Sequence, residues 1–319
     1  MKKFLSMVLI TLMSMSLFTG CVQSTNDTSN SNQKIKIGVC ISDISIKFSS
    51  YLLDEMKNYS KSLDDVEVIY ADSKHDSNIE LSQVENFISE GVDVIVVQPV
   101  DTDSTRPITE IAKATRIPII SISTPFVNPN DAASYITSDS LQAGTVEMEY
   151  LAKKMNYKGN VAIMIGTVGQ EQQRLITQGF YDVIEKYPGI KIVAEQTAEW
   201  NMAKGTALME RWLHSGKKID VVASNNDEMA MGASIAIEAA GKLGEISVGG
   251  IHGIPEALDY LKSGKLAVTV FQDAATQGKC AIETAVKLAK GENVEKTIIF
   301  PYELVIPKDV DKYLAKWKK

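Results

Sequence analysis

Between residues 35 and 271, short apolar runs alternate with stretches whose apolar positions recur every three or four residues. The runs at 35–41, 66–70, 94–97 and 118–122 read as strands, and the stretches at 49–63, 78–90 and 104–115 read as helices. A second succession follows, with helices at 141–155, 170–186, 202–215, 228–240 and 255–263. Its strands fall at 161–165, 190–195, 221–223, 246–250 and 267–271. The strand runs are continuously apolar rather than alternating, as in Val94-Ile95-Val96-Val97, and such runs require burial on both faces. Strands and helices of these lengths in alternation predict parallel sheets with right-handed crossovers. The expected fold is therefore α/β, with two doubly wound parallel-sheet lobes and a change of register near 135–139. Helix 276–290 and the tail 294–306 remain over, and are placed as material crossing back to the first lobe.

The N-terminus adds a different kind of information. Met1-Lys2-Lys3 is basic, residues 4–18 are mostly apolar, and Thr19-Gly20-Cys21 follows. That order describes a secretory signal peptide. The apolar run carries Ser6, Thr11, Ser14 and Ser16 and falls short of the roughly 20 apolar residues a membrane span needs. The small residues before Cys21 resemble a bacterial lipobox, whose cysteine is lipidated, although Phe18 stands where Leu, Val or Ile is usual. Residues 22–33 are mainly Ser, Asn, Thr and Gln with Asp27 the only charge. They have little to bury and are expected to form a flexible tether reaching on the order of 20 Å. The expected organisation is thus a signal peptide over 1–20, a lipid-anchored tether over 21–33 and a body from 34. Such a protein is exported and sits on the extracytoplasmic face of the cell membrane.

Composition mostly excludes. With 45% apolar and 23% charged residues the body has an ordinary globular make-up. A net charge of −7 argues against nucleic acid, which needs a basic surface. Cys40 and Cys280 sit in apolar stretches and read as two buried free thiols. His75, His214 and His252 are scattered and offer no metal-ligand spacing, so no metal or other cofactor is expected. No G-x-S-x-G, H-E-x-x-H or phosphate-cradling glycine loop is present, and no acid–base pair stands out, so no enzyme is expected.

In open α/β sheets ligands bind at the carboxyl ends of strands, so the residues following each run carry the candidate chemistry. Gln98-Pro99-Val100-Asp101, Arg174, Trp200-Asn201, Asn225-Asn226-Asp227 and Gln272-Asp273 occupy those places. Each permits two readings. Asp101, Asn201 and Asn226 are good helix N-caps. Together, though, these amides, carboxylates, one guanidinium and an aromatic suit a polyhydroxylated ring, which is read by hydrogen bonds and packed against an aromatic face.

At these residues the chain resembles the ribose-type periplasmic sugar-binding proteins, the type 1 solute-binding proteins of ABC importers. The resemblance is carried by 96–101, Gly179-Phe180, the Asn-Asn-Asp-Glu-Met-Ala stretch at 225–230 and Val270-Phe271-Gln272-Asp273. Residues 195–200 and 269–278 look closer to the inositol- and rhizopine-binding branch. The resemblance implies two lobes joined by three hinge crossings: 34–137 with 273–298, and 138–272 with 299–319. It also implies a monomer that closes around a sugar or cyclitol and delivers it to ABC permease subunits in the membrane. Carried over by position, Phe48 faces the ring, and Gln98, Arg174, Trp200, Asn226 and Gln272 contact it. Three departures follow. Ser123-Thr124 replace the usual Asp-Arg or Asn-Arg pair, and His252 replaces an Asp. Ile44, Ser45, Ile46 and Lys47 replace small polar residues of the first loop. The altered donors at Ser123, Thr124 and His252 point to a deoxy, methylated or anionic relative of an ordinary sugar. A co-receptor that senses the same ligand for a membrane kinase shares these lobes and is the alternative.

Overall fold

The computed structural model of the protein describes residues 34–317, so the expected signal peptide, tether and Cys21 lie outside the described residues. Six strands form the first sheet: β1 (Ile35–Ile41), β2 (Val66–Asp72), β3 (Val94–Val97), β4 (Ile119–Ile122), β5 (Ser134–Ser138) and, much later in the chain, β11 (Thr297–Phe300). Their order is β11-β5-β4-β3-β1-β2 and every pairing is parallel. The second sheet holds β6 (Lys158–Ile165), β7 (Gly189–Thr197), β8 (Val221–Ser224), β9 (Ser247–His252), β10 (Val268–Phe271) and β12 (Glu303–Val305). It runs β12-β10-β9-β8-β6-β7, parallel except that β12 lies antiparallel to β10.

Both sheets are covered on both faces, as their continuous apolar runs require. Val94, Ile95, Val96 and Val97 are wholly buried, Val94 and Val96 among one group of helix residues and Ile95 and Val97 among another. Burying one such side chain contributes roughly 1.5–3 kcal/mol. The first lobe's helices are α1 (Lys47–Ser60), α2 (Ser77–Ser89), α3 (Arg106–Thr115) and α9 (Ala274–Ala289). The second lobe has α4 (Ser140–Lys154), α5 (Glu171–Ile184), α6 (Met202–His214), α7 (Asp227–Ala239), α8 (Pro255–Lys262) and α10 (Val310–Lys316).

The chain passes between the sheets three times: at Asp139 between β5 and α4, at Gln272-Asp273 between β10 and α9, and at Pro301-Tyr302 between β11 and β12. The third crossing falls two residues beyond the boundary expected at 298, because Ile299 and Phe300 still pair with Thr137 and Ser138. Where the sequence suggested a change of register near 135–139, the chain forms β5, whose polar Ser134, Thr137 and Ser138 interrupt the apolar pattern while remaining buried. Cys40 is buried and Cys280 only partly so, and both are free thiols. Among the described residues no helix is long and apolar enough to cross a membrane.

Candidate functional site

Half of the ten α-helices described carry their own side-chain cap. Asp76, Asp139, Asn201, Asn226 and Asp273 each accept a backbone N–H from the first turn that follows. Two that face the cleft do not. α1 begins behind Ile46 and α5 behind Gln170, neither of which makes a side-chain cap. Each follows the first strand of its sheet, β1 and β6, and leaves backbone donors at the gap between the two sheets.

The cavity in that gap is small in this structure, with ≈ 40 Å³ of free space. The first lobe lines it with Ser42, Ile46, Phe48, Ser49, His75, Gln98, Pro99 and Thr124. From the second lobe come Gln170, Gln172, Trp200 and His252. None of these is a Lys, Arg, Asp or Glu. The wall is amide, hydroxyl, imidazole and aromatic.

His252 is the most unusual of them. It ends β9 with φ at 111° and is only 4% exposed. Its ring stacks on Phe48 of the opposite lobe, with centroids 4.6 Å apart and planes at 25°. Neither Nδ1 nor Nε2 has a hydrogen-bond partner. Burial holds the imidazole down at about 3, so the ring is neutral and offers one donor and one acceptor. The loop after it is fixed from below by Asp227, whose Oδ2 accepts Ile254 N at 3.0 Å and whose Oδ1 accepts Thr269 Oγ1 at 2.6 Å. Burial raises the Asp227 carboxyl to about 8.

Trp200 forms a second aromatic wall. Its backbone is left-handed (φ 61°), and its Nε1 donates to Gln170 Oε1 at 2.6 Å. The indole lies flush on Gly166, where a Cβ would come within 2.1 Å of Cζ2. Gly166 N is in turn held by Asn225 Oδ1 at 3.0 Å. Gln98 accepts from Ser42 Oγ at 3.1 Å, which leaves its amide nitrogen as the free donor. His75, Ser123, Trp200 and His252 all hold positive φ. Strained backbone of this kind concentrates at functional sites.

Of the nine side chains expected to meet a ligand, the structure brings Phe48, Gln98, Thr124, Trp200 and His252 into one cavity. The other four are elsewhere. Arg174 is exposed, because the buried face of α5 is Gln173, Ile176, Thr177 and Phe180, and a helix turns the next residue about 100° away. Asn226 is spent on structure: its Oδ1 caps Met229 N, and its Nδ2 donates to Trp200 O and Glu228 Oε2. Gln272 lies in the second crossing, where its Oε1 accepts from Tyr302 OH at 3.1 Å and its Nε2 donates to Gln277 Oε1 at 3.3 Å. Ser123 faces a separate hinge-side pocket with Tyr135 and Thr137. Lys47 pairs with Glu256 at 3.2 Å outside the cavity. Sequence reasoning passed over Gln170 and Gln172. Their signal was position, since they follow β6 as Gln98 follows β3.

Comparison with known proteins fits this geometry. A family model described as the periplasmic binding protein domain matches residues 37–293. A Rhizobium meliloti protein named for rhizopine binding is 37% identical over 286 residues, covering 88% of this chain and 93% of its own. The ribose import binding protein of Bacillus subtilis is 30% identical, over 95% of this chain and 99% of its own. The crystal structure of an ABC transporter solute binding protein from Bacillus halodurans C-125 with bound myo-inositol is 45% identical. It superposes with a TM-score of 0.87 over 91% of this chain and 100% of that one. The chain belongs to the periplasmic binding protein family and is a solute-binding protein, not an enzyme.

Proposed function

We propose that this protein captures a neutral polyol, a cyclitol or uncharged sugar, between its lobes and hands it to an ABC importer. The observation that carries the reading is His252: a buried, neutral imidazole with two unpartnered nitrogens in a cavity without a charged wall. Leaving buried polar atoms unpaired costs about 1–3 kcal/mol each, a cost that vicinal hydroxyls would remove. Phe48 and Trp200 supply faces for the ring's C–H groups, while Gln98, Gln170, Gln172 and Thr124 supply further donors and acceptors. An anionic cargo does not fit this wall, since Arg174 and Lys47 lie outside it. The myo-inositol in the Bacillus halodurans structure and the import role named for the Bacillus subtilis relative support the same reading over a sensory co-receptor. The lipid anchor at Cys21 is part of this proposal and rests on residues 1–33 alone.

The test is a melting screen against myo-inositol, pentoses, hexoses, 6-deoxy sugars and sugar acids. A cargo at one hundred times its Kd adds about 2.7 kcal/mol of stability. A neutral polyol should raise the melting point; a response confined to sugar acids or amino acids overturns the reading. Loss of detergent-phase partitioning in Cys21→Ser, against retention in the wild type, tests the anchor.

A further inference from the structure

The start of α1 lacks any cap from its own lobe. Ile46 has no side-chain acceptor, and the first turn carries no acidic residue. Its first free donor, Lys47 N, is met from the other lobe by Glu228 Oε1 at 3.2 Å. Glu228 is the second residue of α7 and is only 6% exposed. Its Oε2 accepts from Asn226 Nδ2 at 3.2 Å, and the same nitrogen donates to Trp200 O at 3.1 Å. One carboxyl group therefore joins the backbone immediately before Phe48 to the backbone of Trp200. These are the aromatic walls contributed by the two lobes.

A second contact set lies beside it. Glu256 of α8 takes Lys47 Nζ at 3.2 Å and the Tyr51 hydroxyl at 2.9 Å. The Tyr51 ring lies 4.8 Å from that of Trp317, whose Nε1 donates to Gly253 O next to His252. The contacts of Lys47 with Glu228 and Glu256, and of Tyr51 with Glu256 and Trp317, depend on the lobes being together. In an open molecule Lys47 N and Glu228 would each face water, so the pair favours the closed state only through its geometry there.

We propose that Glu228 is a positioning residue for cargo capture: it caps α1 across the cleft, latches the closed state and sets Phe48 in register with Trp200. The Phe48–Trp200 part rests on the reading that cargo lies between those walls. The latch itself does not.

The test uses a variant on each side of the contact. Glu228→Ala removes the acceptor, and Glu228→Gln keeps an amide oxygen in its place. Lys47→Pro removes the donor from the first lobe's backbone together with the Lys47–Glu256 ion pair, and Lys47→Ala, which loses the ion pair alone, is the reference for it. Proline is tolerated at a first helical position, and Ile46 already has the extended conformation that precedes proline. Small-angle scattering of the protein without added solute reads closure, and calorimetry with myo-inositol reads capture. Glu228→Ala and Lys47→Pro should each increase the radius of gyration. Each should also weaken myo-inositol binding about tenfold, equivalent to about 1.4 kcal/mol, mainly through faster release. Measured against Lys47→Ala, Lys47→Pro combined with Glu228→Ala should lose no more than Lys47→Pro alone, and Glu228→Gln should restore both readouts. Unchanged scattering in Glu228→Ala and Lys47→Pro overturns the latch, as does a Gln variant as defective as the Ala one. If no form binds myo-inositol, the cargo assignment fails while the scattering arm still decides the latch.

Discussion

Replacing His252 with Phe separates what this residue costs the empty protein from what it does for capture. In the structure the imidazole is desolvated and both nitrogens lack partners, while its stack on Phe48 is well formed. Phe keeps an aromatic pair, worth about 0.5–1.5 kcal/mol, and removes the two unpaired polar atoms. Relief of roughly 1–3 kcal/mol for each atom is set against about 1–3 kcal/mol for overpacking by the larger ring. The net expectation is a gain on the order of 2 kcal/mol, or about 3 °C in melting temperature for a chain of this size. The φ of 111° strains either residue and largely cancels from the comparison. Polyol affinity moves the other way: hydroxyls that lose their imidazole partner weaken binding at least tenfold, about 1.4 kcal/mol or more. Scanning calorimetry without solute and titration with myo-inositol read the two effects separately. A His252→Phe protein that melts lower than wild type and binds as tightly refutes the account of this residue.

Three further outcomes follow from the geometry. Gly166→Ala places a Cβ within 2.1 Å of the Trp200 ring and must displace the indole from Gln170. It should cost about 1–3 kcal/mol of stability and at least tenfold in polyol affinity, with altered Trp200 fluorescence; wild-type binding would refute the role of this wall. Arg174→Ala changes an exposed side chain and should leave affinity within twofold and stability within about 0.5 kcal/mol, whereas a large affinity loss would return Arg174 to the site. Stability should also fall as pH rises from about 6.5 to 8.5. Burial raises Glu80 and Asp227 to about 8 and Glu228 to about 7, so the native state keeps protons that the unfolded chain has released above about pH 4. His252, held down at about 3, has the opposite sign: the unfolded chain gains a proton below about 6.5 that the native state refuses. The two effects oppose each other below 6.5, and only the carboxyls act above it. Calorimetry across buffers should give a descending melting curve in that window, flattened in Asp227→Asn; a rising curve contradicts the assigned directions.

The architecture was legible because burial on both faces leaves a mark in sequence, and Val94–Val97 is an uninterrupted example. β5 was hidden because its polar positions are buried by hydrogen bonds to backbone carbonyls distant in the chain rather than by apolar packing. Ser134 Oγ donates to Glu295 O, and Thr137 Oγ1 to Ser123 O, which no periodicity records. Arg174 and Asn226 show the limit at the level of a site. Arg174 is one residue along the helix from buried Gln173, and one helical step separates the interior from solvent. Asn226 has the right chemistry for either a ligand or a cap, and only the 3.0 Å contact from Met229 N assigns it to the cap. For His252 the sequence supplied the position, but the neutral state depends on burial created by residues far away in the chain.

The proposal of a neutral polyol, out of the deoxy, methylated or anionic relatives expected from sequence, rests on where charge sits around the cleft. Asp43, Glu228 and Glu199, the last paired with Lys204, line an outer compartment that shares Ile46, His75 and Trp200 with the inner cavity. A sugar acid entering there would pass carboxylates and then lose its hydration against a wall with no Lys or Arg. Burying an unpaired carboxylate is prohibitive compared with burying a hydroxyl that finds a hydrogen-bond partner. A neutral polyol meets neither obstacle, and its hydroxyls can serve as donor and acceptor at the same imidazole. Replacing a family carboxylate by His252 therefore retains two-sided hydroxyl recognition while removing a charge that closure would have had to bury. On the proposed reading, selectivity in this cleft arises from the absence of charge in the inner wall as much as from the groups that line it.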